Sequence, residues 1–502
     1  MTGIVGCICK QGKIDTSKTT DAMAQKLSHR GKYISKYSPD IYDGPEETSI
    51  IIVNHTPVAE FKSSKETDVL LIVDSIAATN ALTEEMDIVL KKHDDVDSIL
   101  WTNHVFKNLL ATNVAIFSKS GLILTRSIDG QKPLYISKSR EGIFFATERK
   151  GLWSIGLNEI EPFVPGSSMF ITYTGDVKKT VTAARPIIER ISKRDTILEL
   201  RKYLESSFSY LEGISKCGIL FSGGVDSSLV AHLAKRVMKE PYLFTTCTET
   251  SHDRKATRDA SEILNMELVE VLLDSEVLWQ TLPSVIYAIE TTNRMDVEIA
   301  LPFFLAAQEA KEQGITLMLS GQGPDELFGG YAKHVDLFIE HGSKALDVEL
   351  AREVTITHEA NIARDEKAVA FNGIEAYFPF LENHFVNLAL STTSEWKINP
   401  GGIPERKVLF RELATDMGLP KKLVNVPKRA TQYSSGTSKL LRKSMIQNVE
   451  SFKTMTRKLV SMKIQTVLDM MGLELGIPIS TEGDTVSGIN MEFVEAFRKR
   501  EN

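Results

Sequence analysis

The sequence predicts two differently built parts: a strand-rich α+β, sandwich-like region, then an α/β region around a parallel sheet. Three observations carry this reading. Up to about residue 185 the apolar segments are short and bounded by turn residues: "TSIIIVN", "DVLLIVD", "NVAIFSKSGLILTRS", "GIFFATE" and "SSMFITYTGDV". Brief β-branched and aromatic runs between Gly, Asp and Ser are strand signals. From about residue 190, longer helix-period segments alternate with the short apolar runs "GILF", "PYLFTT" and "ITLMLS", the alternation of a parallel sheet with crossover helices. Finally, 502 residues exceed what one hydrophobic core organises, so two or three domains are expected.

The elements follow in order. The chain opens on the strand-like "MTGIVGCICK", and "TTDAMAQKLSH" is one of few helical patterns in the first region. The polar stretch "ARPIIERISKRDT" marks a boundary, giving domains at 1–185 and 186–450. The remainder, 451–502, alternates apolar and basic residues at helical spacing ("SFKTMTRKLVSMKIQTVLDMMGLEL") and reads as a helical appendage. A net charge of −7 argues against a general nucleic-acid or membrane-surface binder. Cys7, Cys9, Cys217 and Cys247 lack metal-ligand spacing, and free thiols in a reducing compartment are expected. Without a leader pattern or an apolar run near the ~20 residues of a membrane span, a cytoplasmic protein is expected.

The most informative stretch is "GILFSGGVDSSLVAHLAKRVM". An apolar strand, Gly218 to Phe221, runs into Ser222-Gly223-Gly224-Val225-Asp226-Ser227-Ser228, and a helix follows with Leu229, Leu233 and Val237 four apart. Glycines admit a close backbone approach, and a new helix offers free N–H groups and a positive dipole end to an anion. Asp226 repels phosphate directly, so its expected task is to hold a magnesium ion. The lysine of the G-x-x-x-x-G-K-[ST] loop is missing. The loop instead resembles the SGG-x-DSS loop of the ATP-pyrophosphatases.

A second strand and acidic glycine-rich loop, "LMLSGQGPDELFGGY" (317–331), together with the first resembles the signature pair of the asparagine synthetase family. "SHDRKA" (251–256), "IETTN" (289–293), "EAYFPFLEN" (375–383) and "KRATQYSSGT" (428–437) fall in family order, and "LSHRGKY", "DGQKPLYI" and "FATERKGL" extend the resemblance through the first region. It implies an N-terminal-nucleophile-type sandwich, the class II glutamine amidotransferase fold, followed by a parallel-sheet ATP-pyrophosphatase domain of the adenine nucleotide alpha hydrolase type. It also implies ATP and Mg²⁺, with Ser222, Gly223, Gly224, Asp226, Ser227 and Ser228 at the triphosphate and metal. Asp325 matches the second magnesium carboxylate, Ser320 and Gly321 the adenine-contacting backbone, Lys428 a transition-state lysine, and Glu375 a carboxylate on the acceptor side. Arg364, Asp365 and Lys407 also match family positions, but charged residues on a helix equally suit a solvated face. Gln322 departs from the family's usual glutamate or tyrosine; an amide orients a substrate but takes no proton from an ammonium.

Glutamine-dependent members carry a cysteine nucleophile directly after Met1, where this chain has Thr2. Threonine serves as a nucleophile when activated by its own amine. The segment that clamps the substrate carboxylate is here "NHTPVAE", with Pro57 near the arginine position, and the oxyanion triplet is Asp74-Ser75-Ile76. Losing one oxyanion donor costs roughly 10²–10³ in rate. The first domain is therefore expected to be folded and inactive as a glutaminase.

The resemblance implies a ligase that adenylates a carboxylate, by default aspartate, and amidates it with ammonia. Its expected partners are these small molecules and ATP, with no nucleic acid or membrane and a homodimer left open. A β-lactam-synthetase-like cyclisation is a second reading, against which the missing tyrosine at Gln322 argues. A silent binding or regulatory homologue is a third, against which the retained SGGVDSS and Asp325 argue.

Overall fold

The structure is a computed structural model describing residues 2–10, 14–37, 48–54, 61–62, 70–74, 110–118, 121–185, 188–209, 211–401, 403–426, 436–479 and 486–501. The chain divides into two compact units. The first is Met1–Ile188 with His358–Glu366 and Leu381–Asn387; the second is Glu189–Thr357, Lys367–Phe380 and Leu388–Asn502.

In the first unit, β1 (Thr2–Cys9), β2 (Tyr33–Tyr37), β3 (Thr48–Asn54), β8 (Tyr135–Lys138), β9 (Gly142–Ala146) and β10 (Glu161–Pro162) form one antiparallel sheet in the order β10-β8-β9-β1-β3-β2. A second is built from β4 (Phe61–Lys62), β5 (Leu70–Asp74), β6 (Asn113–Ser118), β7 (Gly121–Arg126), β11 (Ser167–Thr172) and β12 (Val177–Thr182), in the order β12-β11-β7-β6-β5-β4. Side chains alternate across a strand, and β1 shows what that does here. Ile4 and Ile8 join Ile50, Ile52, Leu122, Leu124 and Ile171 in the core between the sheets. Val5, Cys7 and Cys9 face the other way, onto Met23, Ala24, Leu27 and Leu152. Helix Thr16–Gln25 thus covers the outer face of the first sheet, capped by Asp15, whose carboxylate accepts from Lys18 N at 3.0 Å.

A later stretch of the chain completes this unit. Glu366 accepts both terminal nitrogens of the fully buried Arg30, at 2.8 and 2.7 Å, and Arg30 Nη1 also reaches the carbonyl of Thr2 at 3.3 Å. Glu148 faces the same guanidinium and holds His29 and Lys150. For Arg364 and Asp365 the sequence left a family position and a solvated face equally open. They are buried, paired Nε to Oδ1 at 2.8 Å.

Among the described residues the second unit holds five parallel strands: β13 (Lys216–Leu220), β14 (Glu240–Cys247), β15 (Leu268–Leu272), β16 (Leu317–Leu319) and β17 (Glu375–Tyr377), ordered β15-β14-β13-β16-β17. From β13 the chain builds outward to β14 and β15, then returns to the other side of β13 with β16. Strand order therefore reverses between β13 and β16. In an open α/β sheet that reversal leaves a crevice at the carboxyl ends of the two strands. Residues 451–502 belong to this unit: Thr292 Oγ1 donates to Asp469 at 2.5 Å, and Gln465 accepts from Arg294 N at 2.9 Å. None of the described helices is long and apolar enough to cross a membrane.

Candidate active site

The crevice at the strand reversal is an open cleft of about 690 Å³, its solvent-filled mouth included. Leu220 to Ser222, Asp226 and Ser227 line it after β13, and Ser320, Gly321, Gln322 and Asp325 after β16. Phe244, Thr245 and Thr246 at the end of β14 form another wall, and Pro302, Phe303 and Ala306 of helix Arg294–Glu312 a further one. Asp226 and Asp325 are the only charged residues among these, and among the described residues no basic side chain lines the cleft.

The first loop is shaped by its own side chains. Ser222 N donates to Ser227 Oγ at 3.3 Å and Gly224 N to Ser222 Oγ at 3.4 Å. Gly224 then caps helix Val225–Val237 without a side-chain hydrogen bond, leaving first-turn N–H groups of the kind that receive anions. Ser228 is different: it is fully buried, does not line the cleft, and its Oγ finds no hydrogen-bond partner among the described residues.

The second loop closes against the first. Ser320 N donates to Tyr377 O at 3.0 Å, and a Cβ on Gly321 would come within 2.9 Å of Ser227 N. That gap brings the two acidic loops together. Helix Pro324–Phe328 then starts with Pro324, whose missing N–H costs nothing at that position. Beside Asp325, Glu326 accepts from Tyr331 Oη at 2.5 Å, and burial together with the Asp325 charge pushes its carboxyl up to about 7.

The two aspartates meet on one ammonium. Lys407 Nζ lies 2.8 and 2.6 Å from the oxygens of Asp226 and 2.7 Å from Asp325 Oδ1. Lys407 is 1% exposed, which decides against the solvated-face alternative and leaves the family position. Its backbone is left-handed (φ 57°) at the cap of helix Val408–Asp416, a conformation uncommon outside glycine. Gly330 makes room: a Cβ there would fall 1.8 Å from Asp325 Oδ1 and 2.5 Å from Lys407 Cε. Arg406 Nη1 donates to Gly330 O at 3.0 Å and ties the two stretches together.

Other expected residues lie elsewhere. Glu375 pairs with Leu317, three residues before Ser320 and so roughly 10 Å back along the sheet; it is buried and does not line the cleft. Lys428, Pro57, Ser75 and Ile76 lie outside the described residues, and only the backbone of Asp74 is described. Thr2 sits in β1 opposite Asn54 and is nearly buried. Sequence reasoning passed over the cleft walls from β14 and helix Arg294–Glu312, and Glu326 with Tyr331. The signal for Thr245 and Thr246 was their place at the end of an apolar strand.

The asparagine synthase family model matches residues 199–344 and 338–464. The chain is 27% identical to the putative asparagine synthetase [glutamine-hydrolyzing] 1 of Methanocaldococcus jannaschii, covering 88% of this chain and 95% of that protein. It is 28% identical to asparagine synthetase B [glutamine-hydrolyzing] of Escherichia coli K12 over 58% of this chain and 55% of the other. With asparagine synthetase [glutamine-hydrolyzing] 2 of Arabidopsis thaliana the identity is 30% over 55% of this chain, which spans about half of that relative's length.

Proposed function

The chain belongs to the asparagine synthase family of ATP-dependent carbon–nitrogen ligases, and on that premise we propose that it adenylates a carboxylate, by default that of aspartate, and amidates it with ammonia. The observation that carries this is the convergence of Asp226 and Asp325 on one cation at the cleft where β13 and β16 end.

The residues fit a magnesium ion. Two carboxylates already close on one cation, and only the missing Cβ of Gly330 lets the Asp325 carboxylate reach that point. Mg²⁺ is characteristically held by one or two carboxylates with substrate phosphates completing its shell. Asp226 and Asp325 would hold it, and bound there it would neutralise the departing pyrophosphate. The chain's own residues do the rest. The Ser222–Ser227 loop and the first turn of helix Val225–Val237 receive phosphate oxygens, while Thr245, Thr246, Ser320 and Gly321 border the nucleoside. A carboxylate oxygen then attacks the α-phosphorus, and the bond from that phosphorus to the bridging oxygen breaks. Pyrophosphate leaves with the electron pair. Ammonia attacks the acyl carbon of the adenylate, AMP leaves on its oxygen, and nitrogen gives up a proton. Gln322, at the cleft wall, orients a substrate by hydrogen bonds and accepts no proton from nitrogen. Lys428 takes the transition-state role on resemblance alone.

Residues 1–185, most of the first unit, read as a glutamine amidotransferase-like sandwich that no longer hydrolyses glutamine. The relatives above are named glutamine-hydrolysing, whereas here Thr2, Pro57 and Asp74-Ser75-Ile76 replace nucleophile, clamp and oxyanion triplet together. Residues 186–450 form the synthetase domain in this reading. ATP–pyrophosphate exchange across a panel of amino-acid carboxylates tests it: magnesium-dependent exchange with one carboxylate supports the ligase, and none with any leaves a silent homologue.

A further inference from the structure

The ammonium between the two aspartates bears on how metal enters the site. Asp226 comes from the loop after β13 and Asp325 from the loop after β16, and two carboxylates facing one point repel unless a cation lies between them. Lys407 supplies that cation from 181 residues beyond Asp226. Its ammonium lies 2.6–2.8 Å from three of the four carboxylate oxygens, donating to both of Asp226 and pairing by charge with Asp325 Oδ1. The side chain is buried, its backbone is held in an unusual left-handed cap, and Gly330 is bare where the lysine stem passes. These features place an ammonium where a divalent cation would bind the same oxygens.

We propose that Lys407 and the divalent cation are alternative occupants of one position: the ammonium holds Asp226 and Asp325 in register, and metal binds only as Lys407 withdraws. Lysine suits such an exchange, being a compact charge on a flexible four-carbon stem. Metal alone then competes with a tethered cation and binds weakly. Metal entering with a nucleotide brings phosphate oxygens, toward which the displaced ammonium can turn. The inference rests on reading Asp226 and Asp325 as metal ligands, and its test uses metal without nucleotide so that it stands apart from ligase activity.

The experiment titrates Mn²⁺ into purified full-length protein, without nucleotide, and reads bound metal by electron paramagnetic resonance and by the shift in melting temperature. The parent should bind Mn²⁺ weakly. Lys407→Met and the milder Lys407→Gln should bind one Mn²⁺ at least tenfold more tightly and gain melting temperature on adding it. Lys407→Met combined with Asp226→Asn should lose the gain. If Lys407→Met folds only with Mn²⁺ present, the proposal is supported; if it folds in neither condition, Lys407→Gln decides. Affinities of both variants within twofold of the parent would overturn the proposal, as would a gain that survives Asp226→Asn.

Discussion

Gly321 stands against Ser227 so closely that one added methyl group would come within 2.9 Å of the Ser227 backbone nitrogen. The loop after β16 is thereby seated on the first turn of the helix after β13, and the spacing of Asp226 and Asp325 follows from that contact. Gly321→Ala should push the loops apart. Overpacking of this kind costs about 1–3 kcal/mol. Exchange activity should fall about tenfold or more, with a melting temperature only a few degrees lower. Unchanged exchange kinetics in a folded Gly321→Ala protein would show that loop spacing does not matter.

Asp226→Asn and Asp325→Asn should each reduce magnesium-dependent exchange by about 10² or more, because on the proposed reading each would remove a charge from the site that would hold the metal. Both variants keep the shape of the side chain, so circular dichroism should match the parent. Full exchange in either one separates that carboxylate from the metal.

Lys397 is fully buried, and burial pulls its ammonium down to about 7 despite the nearby Asp347, with Arg190 pulling in the same direction as burial. Between pH 7 and the unfolded value near 10.5, the unfolded chain holds a proton that the folded chain has lost, so stability rises with pH across that window. The slope from this residue is at most about 1.4 kcal/mol per pH unit. Below pH 7 both states are protonated and the burial penalty is fully present. Lys397→Met should therefore be more stable than the parent at pH 6.5 and show a flatter rise to pH 9. Urea unfolding at both pH values checks this, and a parent curve as flat as the variant's contradicts it.

Lys367 and Glu290 form an ion pair at 2.6 Å with both side chains almost completely buried. Removing one partner strands the other's charge, at about 3–5 kcal/mol. Lys367→Met should lose that much stability to urea, and adding Glu290→Gln should recover a large part of it. A double variant no more stable than the single one would rule out charge pairing as the cause.

The sequence disclosed what is local. A strand, two glycines and an amphipathic helix are contiguous in 218–238, so the Ser222–Ser228 loop could be read without a fold. Asp325 was legible for the same reason. Lys407 was not, because its meaning depends on a partner 181 residues away and on a left-handed cap that no periodicity announces. Separation in sequence likewise hid Arg30 and Glu366, 336 residues apart, and with them the return of His358–Glu366 to the first unit. Ser228 was legible as a loop residue but not as a buried one, since one turn of helix separates cleft from core.

Thr2→Cys alone should not produce glutamine-dependent synthesis, because on the resemblance Pro57 and Asp74-Ser75-Ile76 would still stand where the carboxylate clamp and oxyanion donors belong. Ammonia release from glutamine by the parent or by this variant would restore the first unit to the working amidohydrolases.

The central claim, a carboxylate-adenylating ligase built on Asp226 and Asp325, is tested most directly by ATP–pyrophosphate exchange with a panel of amino-acid carboxylates, with and without Mg²⁺. The expected result is magnesium-dependent exchange with a single carboxylate, aspartate first, that disappears in Asp226→Asn. Absence of exchange with every carboxylate, or exchange that persists in Asp226→Asn, would contradict it.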